Sequence, residues 1–254
     1  RNGDKIDFSP TRNIYSVTSA GDTIAWEIKK EILYKNDIAL LDILASNNWQ
    51  RPVYFTIGGD TDIFLGLDKY MRNDGLVLKV DPTMKRSTEK ELTEKRYDIF
   101  MNKILLGQAA NCYYDYFVRR TFDVVRYRNT ANTLAQSLLK FNETEKAGKV
   151  LEKSLAELPI NQYPNSQGNI EMISLLSQAN KSQLATQTAN ILVENHIQSL
   201  RFFMAHLSHN NEPYNTALQE EAEKGHQIQQ QLVAINDSIL LDELEKHYNQ
   251  MGLK

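Results

Sequence analysis

The chain has 254 residues, 41% of them hydrophobic and 24% charged, with a net charge of −3. This is the profile of a globular protein long enough for one large or two small domains, and it gives no general case for binding nucleic acid or an anionic membrane surface. No apolar run approaches the roughly 20 residues of a membrane-crossing helix, and the single cysteine, Cys112, excludes an internal disulfide while leaving the redox compartment open.

The sequence begins at Arg1 without Met or a charged-then-apolar leader, and an excised fragment is the expectation. Residues 1–22 are polar, with Ile14–Tyr15–Ser16–Val17 as a short strand and Ser19 to Asp22 as a turn. Asp22 or Thr23 is expected to cap a helix carrying Ile24, Ile28 and Ile32 at i, i+4 spacing. Asn36 or Asp37 supplies the next cap. Leu40, Leu41, Ile43 and Leu44 then make a short apolar helix, which Asn47–Asn48 ends because a short amide side chain tolerates left-handed geometry. After Trp49, Arg51–Pro52 forces extended backbone at the arginine, and the β-branched and aromatic run from Val53 to Ile57 predicts a buried strand closed by Gly58–Gly59. Asp62 to Met71 reads as a short helix with Ile63, Phe64, Leu67 and Tyr70 on its apolar side. Residues 76–80 alternate as a second strand, stopped by Asp81–Pro82.

Residues 84–96 are charged and read as solvated, after which the pattern turns helical. Tyr97, Phe100, Met101, Ile104 and Leu105 follow the spacing of one buried helical face, and Tyr113, Phe117, Val124 and Val125 mark the next helix. In 128–159, Leu134, Ala135 and Leu138 stand where a tetratricopeptide repeat packs its first helix. Ala147, Leu151 and Pro159 match its second helix and closing proline, with Ala131 in place of the usual Trp. A repeat-like unit with an irregular turn is expected over 170–195, carrying Leu175, Leu176, Ala189, Leu192 and Val193. Leu200, Phe203, Met204 and Leu207 belong to a further helix stopped by Asn210–Asn211. Glu212–Pro213 opens another, with Tyr214, Leu218, Gly225, Leu232 and Ile235 as its stripe, and Asp237 caps a last helix with Leu240, Leu241, Leu244 and Tyr248. The predicted fold class is α+β: a small α/β domain over 1–96 followed by a tetratricopeptide-like helical array over 97–254.

No catalytic centre is specified by these residues, and neither a metal nor a cofactor is expected. His206 and His209 at i, i+3 lack further ligands, and His196, His226 and His247 have no partners nearby in sequence. Cys112 reads as a buried small hydrophobe. The Gly58–Gly59–Asp60–Thr61–Asp62 loop leaves a strand and opens a helix, so Asp60 and Asp62, with Arg51, are the candidate ligand-binding residues. The plainer reading makes these aspartates helix caps and pairs Arg51 with Asp42 or Asp68, or stacks it on Trp49. Residues 84–128 carry ten Lys/Arg against six Asp/Glu, and 212–247 two Lys against eight Asp/Glu. These opposed charges are either solvated faces or surfaces that orient a partner.

The run LDILASNNWQRPVYF, followed by Gly66–Leu67–Asp68–Lys69–Tyr70 and Gly75–Leu76, resembles the C-terminal soluble region of a family of multi-spanning membrane proteins from Bacteroidetes, catalogued as a domain of unknown function. That family is similar to transmembrane protein O-mannosyltransferases, and the likeness runs from about Asp37 to Pro159. The resemblance implies a non-catalytic, extracytoplasmic domain at the periplasmic face of the inner membrane. Its expected partners are its own membrane-spanning half, where sugar transfer would reside, and an acceptor protein. Nucleic acid and direct membrane insertion by this fragment are not expected. Trp49, Arg51, Pro52, Leu67, Tyr70 and Gly75 then form a structural hub. Asp22–Thr23–Ile24 and Asp237–Ser238–Ile239 resemble Bacteroidetes O-glycosylation acceptor sites, but both sit where helix caps are expected. The alternatives are a self-contained enzyme acting on a sugar or nucleotide through the Gly58–Asp62 loop, and a free-standing repeat adaptor.

Overall fold

A computed structural model describes residues 14–19, 22–47, 50–56, 61–82, 87–111, 123–164, 168–206 and 212–252. The chain divides into two compact units, Arg1–Leu92 and Thr93–Lys254.

In the first unit, β1 (Ile14–Ser19) and β2 (Asp22–Glu27) form an antiparallel hairpin whose register pairs Ile14 with Glu27 and Ser19 with Asp22. The helix expected from Asp22 onward is therefore a strand. Ile24, Trp26 and Ile28 are buried while Ala25 and Glu27 are exposed, a period of two rather than 3.6. Ile32, the third member of the supposed helical stripe, is 62% exposed. Helix α1 (Lys35–Asn47) follows. Asp37 accepts hydrogen bonds from the Tyr34 backbone N–H (2.8 Å) and from Lys30 Nζ (2.9 Å). The carboxylate thus reaches back to the residue before the helix, satisfying a donor that the helix itself cannot.

A second sheet has the order β3 (Tyr54–Thr56), β5 (Val77–Val80), β4 (Met71–Asn73), all antiparallel. The strand expected to be buried, β3, is instead an edge strand with Tyr54 and Thr56 exposed, and edge strands keep one solvated flank. The helix expected over 62–71 is broken into two 3-10 turns, Thr61–Phe64 and Asp68–Tyr70, separated by left-handed Leu65 and Gly66. A Cβ on Gly66 would lie 2.5 Å from the Glu27 carbonyl oxygen, so only glycine lets this segment approach β2. Ile24, Trp26, Leu44, Phe64, Leu67, Tyr70 and Val80 belong to the resulting core.

The second unit is helical. Helix α2 (Glu89–Asn102) starts earlier than the charged composition suggested. Thr88 Oγ1 accepts from the Glu91 N–H (3.3 Å), and Glu91 accepts from the Thr88 N–H (2.8 Å), a capping box. At its other end, Lys153 Nζ donates to the carbonyls of Phe100, Met101 and Ile104, placing a cation where the helix dipole is negative. Leu105, expected on the buried face, is 80% exposed beyond the helix end.

Among the described residues six helices follow: α3 (Asp123–Lys140), α4 (Thr144–Glu157), α5 (Gly168–Gln178), α6 (Ser182–His206), α7 (Glu212–Ala234) and α8 (Ser238–Gln250). They pack as three successive hairpins, each closed by an asparagine in left-handed geometry: Asn142 (φ 60°), Asn180 (φ 59°) and Asn236 (φ 56°). Each asparagine N–H bonds back to residue i−3, and the next residue's N–H bonds to a leucine carbonyl, Leu138, Leu176 or Leu232. This is the Schellman arrangement, with asparagine in the position glycine usually takes. The 170–195 turn is therefore as regular as its neighbours. Residues Leu200 to Met204, expected on a separate helix, continue α6. Ala131, Ala135 and Ala147 are fully buried between α3 and α4, where small side chains let helix axes approach closely. The fold is α+β, with a helical C-terminal array.

Candidate functional site

A concavity lies in each unit among the described residues. In the first, a cleft of about 1020 Å³ lies between residues 27–34 and the turns of residues 61–69. Asp62 lines it and is solvent-exposed. So do Glu27, Glu31 and Asp68, opposed by Lys29, Lys30 and Lys69. Four carboxylates facing three ammonium groups leave neither an anion nor a cation site of strong preference. Arg51 does not line this cleft. Its backbone is clamped by the Asn47 side chain, which accepts the Arg51 N–H (3.2 Å) and donates to the Arg51 carbonyl (2.6 Å). The Arg51 side chain is exposed and forms no ion pair among the described residues, so the expected bridge to Asp42 or Asp68 is absent. Asp60, Trp49 and Cys112 lie outside the described residues.

The remaining hub residues separate by environment. Leu67 and Tyr70 are buried, and Tyr70 Oη donates to the Ala25 carbonyl (2.8 Å) and accepts the Ala25 N–H (3.1 Å), fastening its turn to β2. Gly75 adopts φ +97° in the tight connection from β4 to β5, its N–H bonded to Asn73 Oδ1. Pro52 is exposed. A group that sequence reasoning missed sits beside them. Arg72 on β4 binds Asp74 through Nε (2.5 Å) and Nη2 (2.9 Å) and Asp81 through Nη1, with all three residues buried. Bidentate geometry of this kind fixes the sheet's end in place.

The second concavity, about 460 Å³, lies where α5, α6 and α7 meet. Pro164, Ile170, Leu192 and Ile228 give it apolar walls. Gln219, Glu220, Glu223, Lys224 and Gln227, spaced by three and four residues along α7, add a polar stripe. At one end lies a buried relay across three helices. His196 Nδ1 is 2.8 Å from Glu221 Oε1, and His196 Nε2 is 2.8 Å from Tyr248 Oη. With Nδ1–H donating to the carboxylate and Nε2 accepting the phenol O–H, every group is satisfied. Lys224 Nζ donates to the other Glu221 oxygen (3.1 Å).

Burial opposes ionisation of Glu221, but the hydrogen bonds from His196 and Lys224 prevail and hold its carboxyl below the usual range. Burial, and next the Glu221 charge, push the Tyr248 phenol up to about 12, so it remains a donor. Gly225 makes the approach possible: a Cβ there would strike Tyr248 Oη and sit 2.5 Å from His196 Nε2. With no partner nearby in sequence, His196 takes both of its partners from other helices, α7 and α8. The relay's sequence signal was a histidine within the Leu192, Val193, Ile197, Leu200 apolar stripe of α6, facing a mid-helix glycine on α7.

A second buried network sits on α3. Arg128 donates to Ser154 Oγ (2.9 Å) and the Leu158 carbonyl, and Tyr127 donates to Glu157. Burial lowers the Arg128 pKa to about 10. His206 Nδ1 bonds to the Phe202 carbonyl within its own helix (2.7 Å), and no group of three metal-ligating side chains occurs among the described residues. No described helix is long and apolar enough to cross a membrane.

No curated protein and no solved structure matches the chain. Residues 8–99 match the family model of TMEM260-associated domain 2. That span covers the cleft, the Tyr70 anchor and the Arg72 ion triad, and over it the chain is similar to a domain associated with a TMEM260-like family.

Proposed function

We propose that the chain is a non-catalytic, water-facing domain of a membrane protein of the protein O-mannosyltransferase-like kind, standing on the periplasmic side of the inner membrane. The observation that carries this reading is the match of residues 8–99 to TMEM260-associated domain 2. It falls on the stretch whose Trp–x–Arg–Pro strand entry resembles the soluble region of a multi-spanning family of unknown function that is similar to protein O-mannosyltransferases. The three helical hairpins, stacked in the manner of tetratricopeptide repeats, offer an extended surface to an acceptor protein or to the protein's own spanning half. The buried polar groups point the same way. The Glu221–His196–Tyr248 relay and the Arg72–Asp74–Asp81 triad satisfy each other's hydrogen bonds, which suits a scaffold rather than a reacting centre.

The rival reading, an enzyme working through the Gly58–Asp62 loop, has Asp62 at the rim of the larger cleft in its favour. A transfer assay separates the two. The isolated chain is expected to give no turnover with a lipid-linked or nucleotide sugar donor, under conditions where the full-length protein transfers sugar. Turnover by the isolated chain that Asp62→Asn abolishes would establish the rival.

A further inference from the structure

The groove between α5, α6 and α7 has a composition that the relay beside it does not use. Within it, the Glu221 carboxylate accepts from His196 and pairs with Lys224. Glu220 and Glu223 are exposed and make no ion pair among the described residues, so two carboxylates remain on the α7 stripe. The same groove is lined by the aliphatic side chains of Ile170, Leu192 and Ile228 and by the amides of Asn195 and Gln227. The surrounding surface has the same sign, since residues 212–247 carry eight Asp/Glu against two Lys.

We infer that this groove binds a basic polypeptide segment, one in which a lysine or arginine flanks an aliphatic side chain. The aliphatic group fills the space against Ile170, Leu192 and Ile228, and the cation pairs with Glu220 and Glu223. Asn195 and Gln227 also line the groove, their amide nitrogens held by the Ile191 carbonyl (2.7 Å) and by Glu223 (3.4 Å). An apolar wall supplies binding free energy, while the exposed charges on α7 select the sign of the partner and speed its approach. A volume of about 460 Å³ is the size of a compact pocket for one or two side chains. The inference rests on the docking reading only in taking a polypeptide as the occupant.

The test uses the complete chain and two fluorescein-labelled nonapeptides, one alternating isoleucine with lysine, the other isoleucine with glutamate. Fluorescence anisotropy should show saturable binding of the lysine peptide and none of the glutamate peptide. Reversing the groove charges with E220K and E223K together should weaken lysine-peptide binding about tenfold or more. Glu145→Lys, an equal reversal per site at an exposed position of α4, should leave binding unchanged, and circular dichroism should show all variants folded. Failure of the lysine peptide to bind, or equal losses from the groove and the α4 reversals, would overturn the assignment. Neither result touches the sugar-transfer comparison, so the groove and the docking reading fail separately.

Discussion

At the scale of the residue, the helical unit depends on one missing side chain. Gly225 leaves the space in which His196 and Tyr248 meet. Gly225→Ala should therefore destabilise the protein by about 2–3 kcal/mol through overpacking and a broken buried hydrogen bond. Tyr248→Phe, which removes only the phenol, should cost about 1–2 kcal/mol. Chemical denaturation of both variants checks the order, and an alanine at 225 that costs nothing would contradict the geometry. The same relay sets a pH dependence. The folded-state pKa of Glu221 lies below its ordinary value of 4.5, so its stabilisation is complete above that value and is lost as pH falls through the lower folded value. Thermal melts should show stability declining on acidification below about pH 4.5, and Glu221→Gln should flatten that decline. Identical slopes in wild type and variant would refute the assignment.

At the scale of the element, the three asparagine turns make a graded prediction. Asn180→Ala should cost about 1 kcal/mol, because alanine resists left-handed backbone, whereas Asn180→Gly should be neutral or slightly stabilising. Equal effects of the two substitutions, read from denaturation midpoints, would mean that the turn is not held by backbone geometry. The helices that these turns join were legible in outline, whereas the asparagines that close them were not singled out. Apolar periodicity of 3.6 located most helices of the second unit, and Asp237 caps α8 as its position implied, accepting the Leu240 N–H at 3.2 Å.

The first unit was harder to read. Ile24, Ile28 and Ile32 are four residues apart, a spacing that fits a helix face and equally an alternating strand, and Trp26 between the first two decides for the strand. Thr88 and Glu91 were a readable capping box that the surrounding charge concealed. The functional groups were less legible still. His196 lies 25 residues from Glu221 and 52 from Tyr248, and no local pattern announces a contact made only when three helices pack.

At the scale of the whole molecule, the two compact units meet in sequence within α2. The part of that helix belonging to the second unit is tied there by Lys146 to Glu94 (2.7 Å), by Lys153 at its C-terminus and by the Phe100–Tyr127 ring stack. A fragment of residues 87–254 keeps those contacts and the capping box, and should unfold cooperatively. A fragment of residues 97–254 loses the cap and the Glu94 pair, and should be less stable by about 1–2 kcal/mol. Equal stability of the two fragments would show that the first turns of α2 contribute nothing to the second unit.

The docking reading places this entire chain in water on the outer side of a membrane, and its most direct test is sidedness. In the full-length protein, with Cys112 replaced by Ser, a cysteine at exposed position Leu105 reports where the domain stands. A membrane-impermeant maleimide should label it in spheroplasts whose inner membrane is sealed. Labelling that appears only after the inner membrane is lysed would contradict the account.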